Sequence, residues 1–219
     1  MTLPPDPTLA EVRAALAPGI AANAAFDGWT AEARSMAAAA AGVDPDLAAL
    51  AYKDGAVAMI DAWFADIDRQ MAAAVPPEAI AAMKVRERVV AQVEARLDAM
   101  AFDREALRRA LAVLAMPQNL AAAARLGWRT ADLIWSRAGD TATDYNHYTK
   151  RASLLAIYAA TVTVFLDDDS DAHANTRAFL ARRVEGLMRF EKAKAGVRAR
   201  AQYRPSLSRF IGRLRYPAI

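Results

Sequence analysis

The sequence predicts an all-α fold on three observations. Alanine, the best intrinsic helix former, recurs throughout, while glycine and proline are sparse at 9 and 10 of 219 residues. Apolar residues fall three and four apart along most of the chain. No stretch shows the alternation of a half-buried strand, and no internal repeat is visible. Apolar residues make up 55% and charged residues 24%, a globular balance in a chain long enough to bury its own core.

The elements follow in order. Met1 to Pro7 reads as a Pro-rich leader without the basic and apolar regions of a secretory signal. Thr8 is an N-cap for a helix carrying Leu9, Val12 and Leu16, which Pro18-Gly19 is expected to break or kink before Ile20 to Phe26 continues it. After Asp27-Gly28, Thr30 caps Ala31 to Ala41, and Gly42 suits a left-handed C-terminal position. Asp44-Pro45 starts a short helix to Tyr52, an acidic cap followed by proline at the first helical position. Ala56 to about Ala74 follows, with Val57, Ile60, Phe64 and Ile67 at helical spacing.

Pro76-Pro77 is the clearest break. It divides a head, residues 1–75, from a body, residues 76–200, with a tail at 201–219. Glu78 to Met100 reads as one long helix, its alternating charges forming a solvated face. Asp103 caps a helix to Ala115; Met116-Pro117 interrupts; Asn119 leads into Leu120 to Arg137. Gly139-Asp140-Thr141 is a loop. Asp144 to Leu166 is a long helix with the most apolar middle of the chain, so it is buried or faces a cavity. No apolar run reaches the roughly 18 residues of a membrane span. Asp167 to Asp171 closes that helix, and Ala172 to Arg200 forms another.

Several chemistries are poorly served. There is no cysteine, which removes disulfides, thiolate metal sites and cysteine nucleophiles together. The two histidines, His147 and His173, lack the paired Glu-x-x-His motifs of a di-iron bundle. A calcium loop beginning at Asp167 fails twice, with Ala172 at the sixth position and Ala178 at the twelfth. No phosphate-binding glycine loop and no nucleophile elbow is present. The expectation is a non-catalytic protein with no cofactor and no metal.

The tail carries arginines at 198, 200, 204, 209, 213 and 215 and no acid after residue 198. Ser206 to Tyr216 reads as a short helix. Within it Leu207, Phe210, Ile211 and Leu214 make one apolar stripe, flanked by Arg209, Arg213 and Arg215. A basic amphipathic helix suits an anionic membrane surface or a partner's groove, and the alternative is packing on its own domain or a second subunit.

The head, around Trp29-Thr30 to Trp63, resembles the helix-turn-helix of TetR-type regulators. Its second helix offers Asp44, Asp46 and Leu50 where a DNA reader needs cations for phosphates and polar groups for base edges. The expectation is a head that binds no nucleic acid.

Residues 138–183 are the sharpest feature. Gly139-Asp140, Thr143-Asp144, Asn146, Tyr148-Thr149, Arg151, Ala156, Tyr158, Ser170, Thr176, Phe179-Leu180 and Arg183 carry a resemblance, joined upstream by Met116-Pro117, Asn119 and Trp135. The segment resembles the ninth family of the coenzyme Q series, the lipid-binding accessory factors of ubiquinone synthesis. That resemblance implies a TetR-like helical fold with a degenerate helix-turn-helix head, a ligand-binding helical domain and a C-terminal amphipathic helix. It implies binding of an isoprenoid lipid or quinone precursor, a ubiquinone-pathway hydroxylase as partner, and peripheral attachment to the inner membrane from the cytoplasm. Two-fold pairing is the expected assembly.

On this reading Leu154, Leu155, Tyr158, Val162 and Phe165 line a lipid pocket. Trp135, Asp144, His147, Tyr148 and Arg151 face the partner. His147 stands where the family commonly has tryptophan. Leu207, Arg209, Phe210, Ile211, Arg213 and Leu214 touch the membrane. The runner-up is a TetR-type transcriptional regulator with a lipophilic effector. A quinone-modifying enzyme comes third, for want of catalytic groups.

Overall fold

The computed structural model describes residues 3–143 and 145–202, with side chains omitted at 195 and 197–202. Asp144 and the whole amphipathic stripe from Leu207 to Leu214 lie outside the described residues. Among the described residues there are ten α-helices and no strand. The described residues divide after Val184 into two compact units.

Helix α1, Leu9–Asp27, starts with a reciprocal cap: the Thr8 hydroxyl accepts from the Glu11 N–H, and the Glu11 carboxylate accepts from the Thr8 N–H. It runs unbroken through Pro18, against expectation. The proline ring lies on the exposed side, while Val12, Leu16, Ile20 and Ala24 are fully buried. Burying that stripe against neighbouring helices outweighs the one hydrogen bond proline forfeits. Gly19 also allows close approach of the next helix, since a Cβ there would lie 3.3 Å from Ala37 Cβ.

Helices α2 (Ala31–Ala41) and α3 (Pro45–Ala51) complete the head, joined by Gly42 in the left-handed conformation. The Asp44 carboxylate caps α3 by accepting from Asp46 and Leu47 N–H. Helix α4, Ala56–Ala74, buries Met59, Ile60, Trp63, Ile67 and Met71. The Trp63 ring packs on Trp29, centroids 5.4 Å apart.

The long helix expected over Glu78 to Met100 is two helices, α5 (Pro77–Ala82) and α6 (Val85–Asp98). Met83 and Lys84 are extended between them. Charged residues that read as a solvated face make the break: Glu87 accepts from the Lys84 N–H at 2.9 Å, and Arg88 Nε donates to the Met83 carbonyl at 2.9 Å. Periodicity cannot reveal this, because the same residues suit an exposed helix face.

Helices α7 (Arg104–Leu114), α8 (Leu120–Arg137), α9 (Tyr145–Leu166) and α10 (Ala174–Gln202) follow. By length and composition α9 would suffice to cross a membrane. In this fold it buries Leu154, Thr161, Val162 and Phe165, together with an ion-paired Arg151. The acidic loop after α9 turns through Ala172 and His173, both in the left-handed region. Asp168 holds that loop onto the start of α10, its carboxylate accepting from the N–H and hydroxyl of both Ser170 and Thr176.

Candidate functional site: an apolar cavity walled by five helices

Helices α4, α6, α7, α8 and α9 enclose a cavity of about 340 Å³. Helix α7 contributes Leu107, Leu111 and Leu114, one face at spacings of four and three. Helix α8 contributes Leu120, Ala123, Leu126, Gly127 and Thr130. Helix α9 contributes Leu155, Tyr158, Ala159, Val162 and Thr163, and Phe64 of α4 closes one side. Leu120 is 56% exposed and stands at the rim. Two other concavities, of about 320 and 420 Å³, are edged by charged residues such as Arg13, Asp61 and Arg125 or Arg88 and Arg137. Neither has a comparable apolar wall.

One charged side chain lines the cavity. Arg96 of α6 is 1% exposed and pairs through Nη1 with Asp68. Its Nε donates to the Tyr158 hydroxyl oxygen at 2.8 Å. The guanidinium lies between two rings, 5.7 Å from the Phe64 centroid and 5.6 Å from that of Tyr158.

Of the five residues expected to hold lipid, Leu155, Tyr158 and Val162 line the cavity. Leu154 and Phe165 are fully buried but do not line it. Sequence reasoning missed the walls from α4, α6, α7 and α8. The leucine stripe of α7 was visible as a helix face, but a face packed on core and a face lining a cavity carry the same pattern.

A second feature adjoins the start of α9. Tyr145 and Tyr148 are exposed, and the Tyr148 ring lies 6.1 Å from Trp128 and 5.1 Å from His147. His147 Nδ1 lies 3.1 Å from the Ala142 carbonyl oxygen. The other two described residues expected to face a partner lie beneath this surface. Trp135 is buried and its indole N–H donates to the Lys150 carbonyl at 3.0 Å. Arg151 is buried, pairing with Asp132 and with Asp140, the latter at 3.0 Å. Lys150 reaches the other Asp140 oxygen at 2.6 Å. Burial alone would raise the Asp140 carboxyl, but the hydrogen bonds from Lys150 and Arg151 outweigh it and hold it below the usual carboxylate range.

Helices α8 and α9 thus supply both the aromatic surface and two walls of the cavity. This is the stretch, residues 120–191, that matches the COQ9 family model. In that segment the chain is similar to COQ9 proteins. Human ubiquinone biosynthesis protein COQ9, mitochondrial, is 32% identical over 168 residues, covering 74% of this chain and 52% of the human protein. The Xenopus tropicalis COQ9 is 38% identical over 96 residues, covering 44% of this chain and 30% of that protein. The chain therefore spans about half the length of the human relative it matches. Among solved structures, a TetR transcriptional regulator from Nitrosomonas europaea shares the fold, with a TM-score of 0.64 and 24% identity over 79% of this chain and 95% of that one. The COQ9 resemblance and the TetR-like all-helical fold read from sequence are both borne out.

Proposed function

We propose that this protein serves ubiquinone biosynthesis as a non-catalytic accessory factor, binding an isoprenoid or quinone-like lipid and offering it to a ring hydroxylase at a membrane. The observation that carries the reading is the apolar cavity, two of whose five walls come from the segment that matches the COQ9 family model. Exposing an isoprenoid chain to water costs about 0.8 kcal/mol per methylene, so a carrier needs such a sheath. At about 340 Å³ the cavity is near the lower limit of small-molecule sites, enough for a head group and a short length of chain.

The remaining roles complete the proposal. Tyr145, Tyr148, Trp128 and His147 form the partner-facing surface, with Trp135 and Arg151 bracing it from below. Residues 76–200 act as the lipid-binding and pairing domain, and the head at 1–75 is a structural remnant. The tail at 201–219 touches anionic lipid from the cytoplasmic side, and two copies pair. Replacing Phe210 and Leu214 with serine should abolish flotation with anionic liposomes, and persistent flotation would exclude the tail as the anchor.

Native mass spectrometry of the purified protein, followed by organic extraction, tests the central reading. A co-purifying isoprenoid or quinone supports it. An empty protein that also binds no added isoprenoid quinone would sink it. The fold shared with a transcriptional regulator favours one second reading, DNA binding with a lipophilic effector. Against it, Asp44 and Asp46 are exposed on the helix that would meet phosphate. Duplex affinity that falls steeply with salt would support the regulator instead.

A further inference from the structure

The cavity has a single polar point, and its chemistry selects a head group. Thr130 and Thr163 also line the wall, but their hydroxyls donate to Leu126 and Ala159 carbonyls of their own helices. That leaves Arg96 and Tyr158. The Tyr158 hydroxyl accepts from Arg96 Nε, and its own proton has no acceptor among the described residues. Arg96 Nη1 is committed to Asp68, and Nη2 makes no hydrogen bond there. Two donors therefore stand at the edge of an otherwise apolar space. A donor facing apolar space gains when an acceptor comes within its reach.

The charge count decides what that acceptor is. Arg96 pairs with Asp68; Arg129 pairs with Asp61 and lies 3.8 Å from the second Asp68 oxygen. Two cations face two anions. Among the described residues around the cavity no positive charge is left over to compensate a buried phosphate or carboxylate, whose desolvation is expensive without a partner. A neutral oxygen needs only the donors already in place.

We propose that Tyr158 and Arg96 form a head-group clamp that selects lipids ending in a neutral oxygen acceptor, such as a quinone carbonyl, over plain hydrocarbons and over anionic lipids. The proposal rests on the reading of this cavity as a lipid site. The Phe64 and Tyr158 rings hold the guanidinium in place between them, so the donors are ordered before the ligand arrives.

The test uses the full chain, stripped of lipid, and three probes with matched isoprenoid chains: farnesene, farnesylacetone and farnesyl diphosphate. Affinities are measured for wild type and for Tyr158→Phe, which removes only the hydroxyl, with a thermal melt confirming that the variant folds. The ketone should bind wild type best. Tyr158→Phe should weaken the ketone about five- to tenfold, the worth of one hydrogen bond, and leave farnesene unchanged. Tightest binding of the diphosphate would overturn the neutral-acceptor assignment. Equal binding of all three probes, unmoved by Tyr158→Phe, would overturn the clamp and leave the lipid cavity standing. If no probe binds, the cavity reading itself fails.

Discussion

Gly127 of α8 and Leu155 of α9 meet so closely that a Cβ on Gly127 would lie 2.6 Å from Leu155 Cδ1. Both residues line the cavity. The atom in the way is the far end of a flexible side chain, so Gly127→Ala should be accommodated by turning Leu155. The substitution gains helix propensity of about 1 kcal/mol and spends it on the leucine rotamer. Thermal stability should therefore stay within about 1 kcal/mol of wild type, while the displaced Leu155 takes up cavity space. On the proposed lipid-binding role, retained lipid assayed by extraction should fall by more than about half. Unchanged lipid loading in Gly127→Ala would mean that the ligand does not reach this part of the wall.

That contact also marks the limit of what sequence carries. Gly127 sits inside a helical pattern with nothing local to distinguish it from a mildly destabilising residue. The helices themselves were legible because each has punctuation with a mechanism, such as Thr8 before α1, Asp44-Pro45 before α3 and Gly42 after α2. Pro18 misled because local propensity was set against tertiary burial, which won. Arg96 read as one of many alternating charges on α6. Only the packing of α4 and α9 against it shows a buried cation at the edge of a cavity. In the same way, Arg151 looked like part of an exposed patch because it follows Tyr148 by three positions. The fold turns it inward to Asp132 and Asp140 instead.

Arg151 should accordingly act on stability first. Arg151→Met removes one partner from Asp132 and Asp140, yet Lys150 still holds Asp140 and Asp132 is half exposed to water. The expected cost is about 2 kcal/mol, below the usual penalty for stranding a buried charge. Hydrogen exchange should quicken first over residues 138–151, where Arg151 ties the loop to α9. A variant with wild-type melting and exchange that fails only to bind a partner would show that Arg151 contacts the partner directly.

Asp168 gives the fold an acid-sensitive clasp. Burial alone would raise its carboxyl, but hydrogen bonds from the side chains and N–H groups of Ser170 and Thr176 outweigh that and hold it well below its ordinary value of 3.8. A carboxyl lowered in the folded state contributes stability that is fully present above its unfolded pKa. That contribution is lost as pH falls from about 4 towards the depressed value. Asp168→Asn should cost about 2 kcal/mol at neutral pH, because the amide nitrogen cannot accept the bonds that oxygen did. The gap between wild type and variant in urea midpoints should narrow as pH drops below 4. A gap that stays constant down to pH 2 would mean that the wild-type carboxylate is not what holds the loop.

Trp29 separates stability from ligand binding. Its indole N–H donates to the Ala106 carbonyl of α7 at 3.0 Å, tying the turn before α2 to α7, and its ring packs on Trp63. It takes no part in lining the cavity. Trp29→Phe keeps a ring but loses that buried hydrogen bond and some apolar contact, about 1–2 kcal/mol together. For a chain of this size that lowers the melting temperature by about 2–8 °C. Lipid retained at temperatures well below the transition should match wild type. If Trp29→Phe instead emptied the protein of lipid while barely changing its melting temperature, the head would be coupled to the cavity, and its reading as a structural remnant would have to be given up.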